Sequence, residues 1–232
     1  MLLEVCANSY QSAINAQNAG AHRIELCSEL SVGGITPSYG LIKQVVEDLS
    51  IPVFVLIRPR SGNFYYSDVE FEIIKRDIQI CKQSGCQGIV SGILNADNTI
   101  DIDRTRELIE LLKPMSFTFH RAFDCVPDPI QVLEQLINLG VDRVLTSGLE
   151  STSEKGLELL KKFNKKANKQ ITILAGSGIN PENAKLFKEA GLKEIHASAS
   201  KNIESNSKVS MFDVVQKESD LETIKAILKE IQ

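Results

Sequence analysis

No C-x-x-C pair occurs in this chain, so neither a zinc ribbon nor a thioredoxin-type redox motif is expected. The cysteines are Cys6, Cys27, Cys81, Cys86 and Cys125. Their number is odd and no sign of secretion accompanies them, so reduced thiols are the expected state. An N-terminal segment running from charged to apolar is also missing, and no stretch approaches the ~20 apolar residues of a membrane span. The expected location is the cytoplasm, with no membrane partner. Basic excess is lacking too: 26 Lys and Arg against 30 Asp and Glu leave a net charge of −4, with both signs interspersed. Without a basic face, no nucleic-acid partner is expected. Nothing in the chain indicates an organic cofactor. What remains is 232 residues, 43% hydrophobic and 24% charged, an ordinary globular balance with enough chain to bury a core.

A short apolar run, a polar turn and a helical stretch recur along the chain. Strands are predicted at 2–6, 23–27, 53–58, 88–92, 116–121, 143–147, 172–176 and 194–198. Helices are predicted between them, at 9–18, 37–48, 68–84, 103–112, 129–139, 154–167 and 181–190. Pro129 and Pro181 sit where a first helical turn tolerates a missing N–H, and Gly20, Gly85, Gly140 and Gly191 sit where a left-handed cap favours glycine. Strict alternation over eight units predicts a single-domain (β/α)8 TIM barrel. Residues 1–200 form the barrel in this reading. Residues 201–232 belong to the same domain, as a polar loop at 201–210, a short apolar patch at 211–215 and a closing helix at 220–231.

Barrels of this kind place their working groups at the C-terminal ends of the strands. There the chain puts Glu4, Cys6, Glu25, Cys27, Arg58, His120, Arg121, His196 and Ser198. Side chains alternate along a strand, so Glu4 and Cys6, Glu25 and Cys27, Thr118 and His120, and His196 and Ser198 share a face. The alternate set, including Leu3, Val5, Ile24, Leu26, Phe117 and Phe119, is apolar and should meet the helices. The polar set should converge inside the barrel. Ion pairing within the barrel is the plain account of such charges, and a functional site is the other. Phe64, Tyr65 and Tyr66 follow Gly62 and can either close over the mouth or pack on its rim.

Several segments resemble the copper homeostasis protein CutC family. They are Glu25-Leu26-Cys27 with Gly33-Gly34-Ile35-Thr36-Pro37-Ser38; Ile57-Arg58-Pro59-Arg60 with Gly62-Asn63-Phe64 and Tyr66-Ser67; Phe119-His120-Arg121-Ala122-Phe123-Asp124; and Leu145-Thr146-Ser147-Gly148. Gly176-Ser177-Gly178 and His196-Ala197-Ser198 extend the likeness to about residue 200. Ser177 departs from a place where the family is usually richer in glycine. The resemblance implies a cytoplasmic barrel protein tied to copper homeostasis and a homo-oligomer, a dimer before larger assemblies.

Two functional expectations stand side by side. In the first, Cys6 and Cys27 end neighbouring strands, roughly 5 Å apart, and act as a metal-binding thiol pair for Cu(I), near-linear in geometry. His120 or His196 would add nitrogen. In the second, the barrel is an enzyme acting on a small phosphorylated or carboxylated metabolite. Glu25, His120, Arg58, Arg121 and Asp124 would be catalytic, with Glu25 and His120 as acid and base. Arg60, Ser147, Gly176, Ser177, Gly178, His196 and Ser198 would bind the ligand, the glycine turn ahead of a helix near Pro181 holding phosphate.

Overall fold

The computed structural model describes residues 1–203 and 216–232. The apolar patch expected at 211–215 lies outside the described residues, as does most of the loop expected at 201–210. Eight parallel strands close into one barrel in sequence order: β1 (Leu2–Ala7), β2 (Arg23–Leu26), β3 (Val53–Leu56), β4 (Gly88–Ser91), β5 (Ser116–Phe119), β6 (Arg143–Thr146), β7 (Thr172–Gly176) and β8 (Glu194–Ala197). Helices α1 (Tyr10–Ala19), α2 (Tyr39–Asp48), α3 (Asp68–Ser84), α4 (Ile102–Leu112), α5 (Pro129–Leu139), α6 (Leu157–Ala167) and α7 (Ala184–Glu189) separate them. The fold is a (β/α)8 TIM barrel.

Local chemistry explains where the helices begin and end. Ser9, Ser38, Asp101 and Asp128 each cap a helix by accepting a backbone N–H in its first turn. Ser67 and Glu70 form a reciprocal capping box at α3. Two expectations shift. The helix expected from 154 starts at Leu157, where Gly156 offers no side-chain cap. The helix expected from 181 shortens to Ala184–Glu189, because Asn180 and Asn183 first close a hydrogen-bonded turn.

The chain after β8 also departs from expectation. Residues 200–202 are not loop. They form β9 (Ser200–Asn202), antiparallel to β10 (Lys217–Ser219). Helix α8 (Leu221–Ile231), capped by Asp220, then buries Ile224, Ile227 and Ile231 while packing against α1 and α7.

Strand parity creates two cores. Leu3, Val5, Ile24, Leu26, Phe117 and Phe119 face the helices in one large apolar cluster. Cys6, Cys27, Phe54, Leu56 and Val90 form a second cluster inside the barrel. Room for the inner side chains comes from glycines: a Cβ on Gly88 would sit 2.5 Å from the Phe54 ring.

Candidate functional site

The lower barrel interior is an ion network set by strand register. Glu4 lies opposite both Arg23 and His196 on the neighbouring strands. Arg23 donates to Glu4 at 2.5 Å and to Glu194 at 2.6 Å, and Arg143 donates to Glu194 at 3.0 Å. Both guanidinium groups also lie over the Phe54 ring, at 4.7 and 5.2 Å. Burial alone would raise the Glu4 pKa, but Arg23 and the hydrogen bond from His196 outweigh it and hold the carboxyl at about 2.

One layer higher the partners thin out. His196 Nδ1 lies 2.8 Å from Glu4 and 3.4 Å from Glu25. Glu25 has no guanidinium contact within salt-bridge distance. Burial, reinforced by the Glu4 charge and opposed by His196, pushes its pKa to about 7. The charge of His196 is opposed by burial, yet Cys6, Glu4 and Glu25 together lift its pKa well above the ordinary value. Because Glu4 occupies Nδ1, Nε2 is the ring nitrogen left for another partner, the arrangement in which a carboxylate orients a ligating imidazole.

The thiols complete this layer. Cys6 lies opposite Glu25, and Cys27 is the next inward residue, just past the end of β2, so the two thiols meet diagonally across the strand pair. Their sulfurs are 3.6 Å apart, with Cys27 fully buried and Cys6 6% exposed. The Cys27 thiol and burial raise the Cys6 pKa well above its usual range. Cys6, Glu25 and His196 each offer a ligand atom within 4.8 Å of one another. Metal–sulfur bonds of about 2.3 Å span about 4.6 Å when linear and about 3.8 Å at a tetrahedral angle. The sulfur spacing therefore fits a bent pair with a third donor rather than the near-linear site expected from sequence.

A different set of groups lines the opposite wall. Arg58 follows β3 and reaches across the mouth, donating to the carbonyls of Val32 (2.9 Å), Gly34 (2.8 Å) and Gly62 (2.8 Å). Its Nε has no partner. His120 ends β5, and its Nδ1 accepts the Ala122 N–H at 3.2 Å, which leaves the proton on Nε2, also without a partner. Burial and the nearby Arg58 charge hold the His120 pKa at about 3. Gly92 makes room for the ring, since a Cβ there would lie 2.6 Å from His120 Nδ1. Phe64 packs on both groups, 4.8 Å from the His120 ring and 5.1 Å from Arg58 Cζ.

Arg121 and Asp124 lie on a 3-10 turn, Arg121–Cys125, and not on the strand. Asp124 accepts from Arg121 (2.7 Å), the Thr146 hydroxyl (2.5 Å), the Ser147 hydroxyl (3.0 Å) and the backbone N–H groups of Ser147 and Leu149. Its carboxylate is saturated and clamps the turn to the end of β6. Arg121 uses Nε on Asp124 and Nη2 on Ser147, and 44% of its side chain is exposed.

These walls enclose a cavity of about 460 Å³ at the C-terminal end of the barrel. Cys6, Cys27, Glu25, His196, Arg58, His120, Arg121 and Asp124 all line it. Arg60, Ser147, Gly176, Ser177, Gly178 and Ser198 do not. Arg60 turns outward to Glu70 at 2.5 Å and to the Tyr65 carbonyl. Ser147 is buried against Asp124 and the Glu150 carbonyl. Gly176 lies beneath His196, where a Cβ would come 3.3 Å from His196 Cβ. Ser177 donates to the Ser151 carbonyl, while the Gly178 carbonyl accepts from Asn183, so this turn is tied to its neighbours. Ser198 lies 3.4 Å from the Ser200 hydroxyl.

Other lining residues were not singled out as candidates from sequence. Leu30 and Val32 come from a 3-10 turn, Leu30–Val32, which the Gly33–Gly34 pair folds back over the mouth. A Cβ on Gly34 would lie 2.7 Å from Leu56, and its φ is +85°, so glycine alone suits this approach. The diglycine was the available signal. Arg23, Arg143 and Glu194 stand at strand starts, where a polar residue reads as turn.

Comparison with known proteins agrees with this architecture. A family model described as the CutC family matches residues 1–201. A CutC family protein of Bacteroides fragilis is 44% identical over 241 residues, covering 100% of this chain and 96% of its own. A Homo sapiens protein named copper homeostasis protein cutC homolog is 46% identical over 208 residues, covering 89% of this chain and 76% of its own. The crystal structure of Streptococcus agalactiae CutC superposes with a TM-score of 0.81 at 35% identity, over 85% of this chain and 98% of that one.

Proposed function

The chain belongs to the CutC family, and from that premise we propose that it serves copper homeostasis by binding Cu(I) on Cys6 and Cys27. The observation that carries this is the pair of buried sulfurs, 3.6 Å apart, at the floor of an open cavity. Thiolate is a soft donor and suits Cu(I). His196, aligned by the Glu4 carboxylate on Nδ1, and Glu25 offer ligand atoms within 4.8 Å of Cys6 Sγ and are the donors we assign to a bent set with the sulfurs. Burial of both thiols away from bulk water further favours the soft monovalent ion. All five cysteines are free, which suits a reducing compartment, and we place the protein in the cytoplasm. No helix among the described residues is long and apolar enough to cross a membrane. A homo-oligomer, a dimer first, is part of the same proposal.

X-ray absorption at the copper edge tests the donor set. Protein loaded with one equivalent of Cu(I) under reducing conditions should give two sulfur scatterers together with nitrogen or oxygen scatterers. A first shell without sulfur would overturn the proposal.

A further inference from the structure

We infer that the cavity wall facing the thiols binds the carboxylate of a small organic acid, seated on His120, Arg58 and Arg121. A cavity that served only a monovalent cation would gain nothing from two guanidinium groups, because like charges repel. Arg58 and Arg121 nevertheless line the same space as Cys6 and Cys27. Asp124 already meets the charge of Arg121, but Arg58 donates only to backbone carbonyls, so its charge calls for an anion that the copper reading does not supply.

Two donors there are left unmade. Among the described residues His120 Nε2 and Arg58 Nε have no partner, and the two residues are only 5% and 6% exposed. A buried donor without an acceptor is destabilising, and an acceptor arriving from the cavity relieves that. Phe64 packs on both residues and lines the cavity, so both donors sit beside one side chain of the cavity wall. Arg121 adds the edge of its guanidinium that neither Asp124 nor Ser147 uses.

The number and kind of donors select the class of anion. Two single N–H donors and one guanidinium edge match the two oxygens of a carboxylate. The backbone cradle expected to hold phosphate at Gly176–Gly178 does not line the cavity. The helix beyond it, α7, has 6 residues and starts only at Ala184. Leu30, Leu56 and Leu145 face the same space and suit a short hydrocarbon body. The 460 Å³ volume equals about 15 waters at about 30 Å³ each, so the acid is small. This narrows the anionic-metabolite expectation to a monocarboxylate and stands apart from the copper reading.

Calorimetric titration of the reduced, metal-free protein tests it, with butanoate, pentanoate and hexanoate as probes. Their primary amides and inorganic phosphate are the comparisons. The acids should bind and the amides should be about tenfold weaker. Arg121→Gln should remove that preference while its Cu(I) uptake stays unchanged, with its melting temperature checked. If that variant fails to fold, Arg121→Lys keeps a charge for Asp124, loses the fork and should weaken the acids alone. Equal binding of acid and amide, no binding of any acid, or tighter binding of phosphate would overturn the inference. Loss of Cu(I) binding by the parent protein would instead strike the copper reading and leave this one standing.

Discussion

Two layers of the barrel interior, two residues apart along β1 and β2, treat polar groups in opposite ways. Below, Glu4, Arg23, Glu194 and Arg143 are joined by ion pairs of 2.5–3.0 Å. Above, Glu25 has only His196 at 3.4 Å, the two thiols have each other, and His120 Nε2 and Arg58 Nε have nothing. The separation is not absolute, since among the described residues Arg143 Nη1 and the Thr118 hydroxyl beside it in register are also without a partner. Still, the lower layer is closed by the protein's own charges, and the upper layer is left open towards a cavity. Buried polar groups are normally paired, so an open layer beside a closed one marks where a ligand is to be accommodated.

Breaking the lower layer should give the largest effect. Arg23→Met leaves the buried carboxylates of Glu4 and Glu194 short of a partner and should cost about 3–5 kcal/mol, measured by urea unfolding. A loss below about 1 kcal/mol would mean the network is not a structural element. Gly92→Ala tests the upper layer's space. Its Cβ would press on the His120 ring at 2.6 Å and on Phe119 at 3.2 Å, for an expected loss of about 1–3 kcal/mol.

Acid should act on the upper layer through His120. The His120 pKa is lowered to about 3 in the folded state, against about 6.5 for an ordinary histidine. Between these limits the unfolded chain binds a proton that the folded chain does not. Stability therefore falls as pH drops from about 6.5 towards 3, by up to about 1.4 kcal/mol per pH unit from this group. His120→Gln should flatten that slope. The His120 imidazole resonances should not titrate between about pH 5 and 8, and a mid-range titration of His120 by NMR would place it in water.

The barrel was legible because alternation survives in a single sequence. The apolar parity of Leu3 and Val5, Ile24 and Leu26, and Phe117 and Phe119 meets the helices, and Cys6, Cys27, Glu25 and His120 point inward. Depth along the barrel axis was not legible. Glu4 and Glu25 read alike as inward carboxylates, yet one has Arg23 at 2.5 Å and the other has no arginine partner. That difference is set by register between strands, which a linear pattern does not carry. Arg60 and Asp124 show a second limit: a charged side chain beside a site can spend itself on its own loop, as both do. The glycines Gly92 and Gly176 read as strand-end or turn residues, whereas each makes room for a histidine ring of the mouth.

Copper uptake by Cys6→Ser plus Cys27→Ser, titrated with Cu(I) against a chromophoric chelator under reducing conditions, tests most directly that the open layer is the working one. The account predicts one tightly held equivalent in the parent protein and none in the double variant, with circular dichroism showing that the variant is still folded. A folded double variant that retains the full equivalent would contradict it.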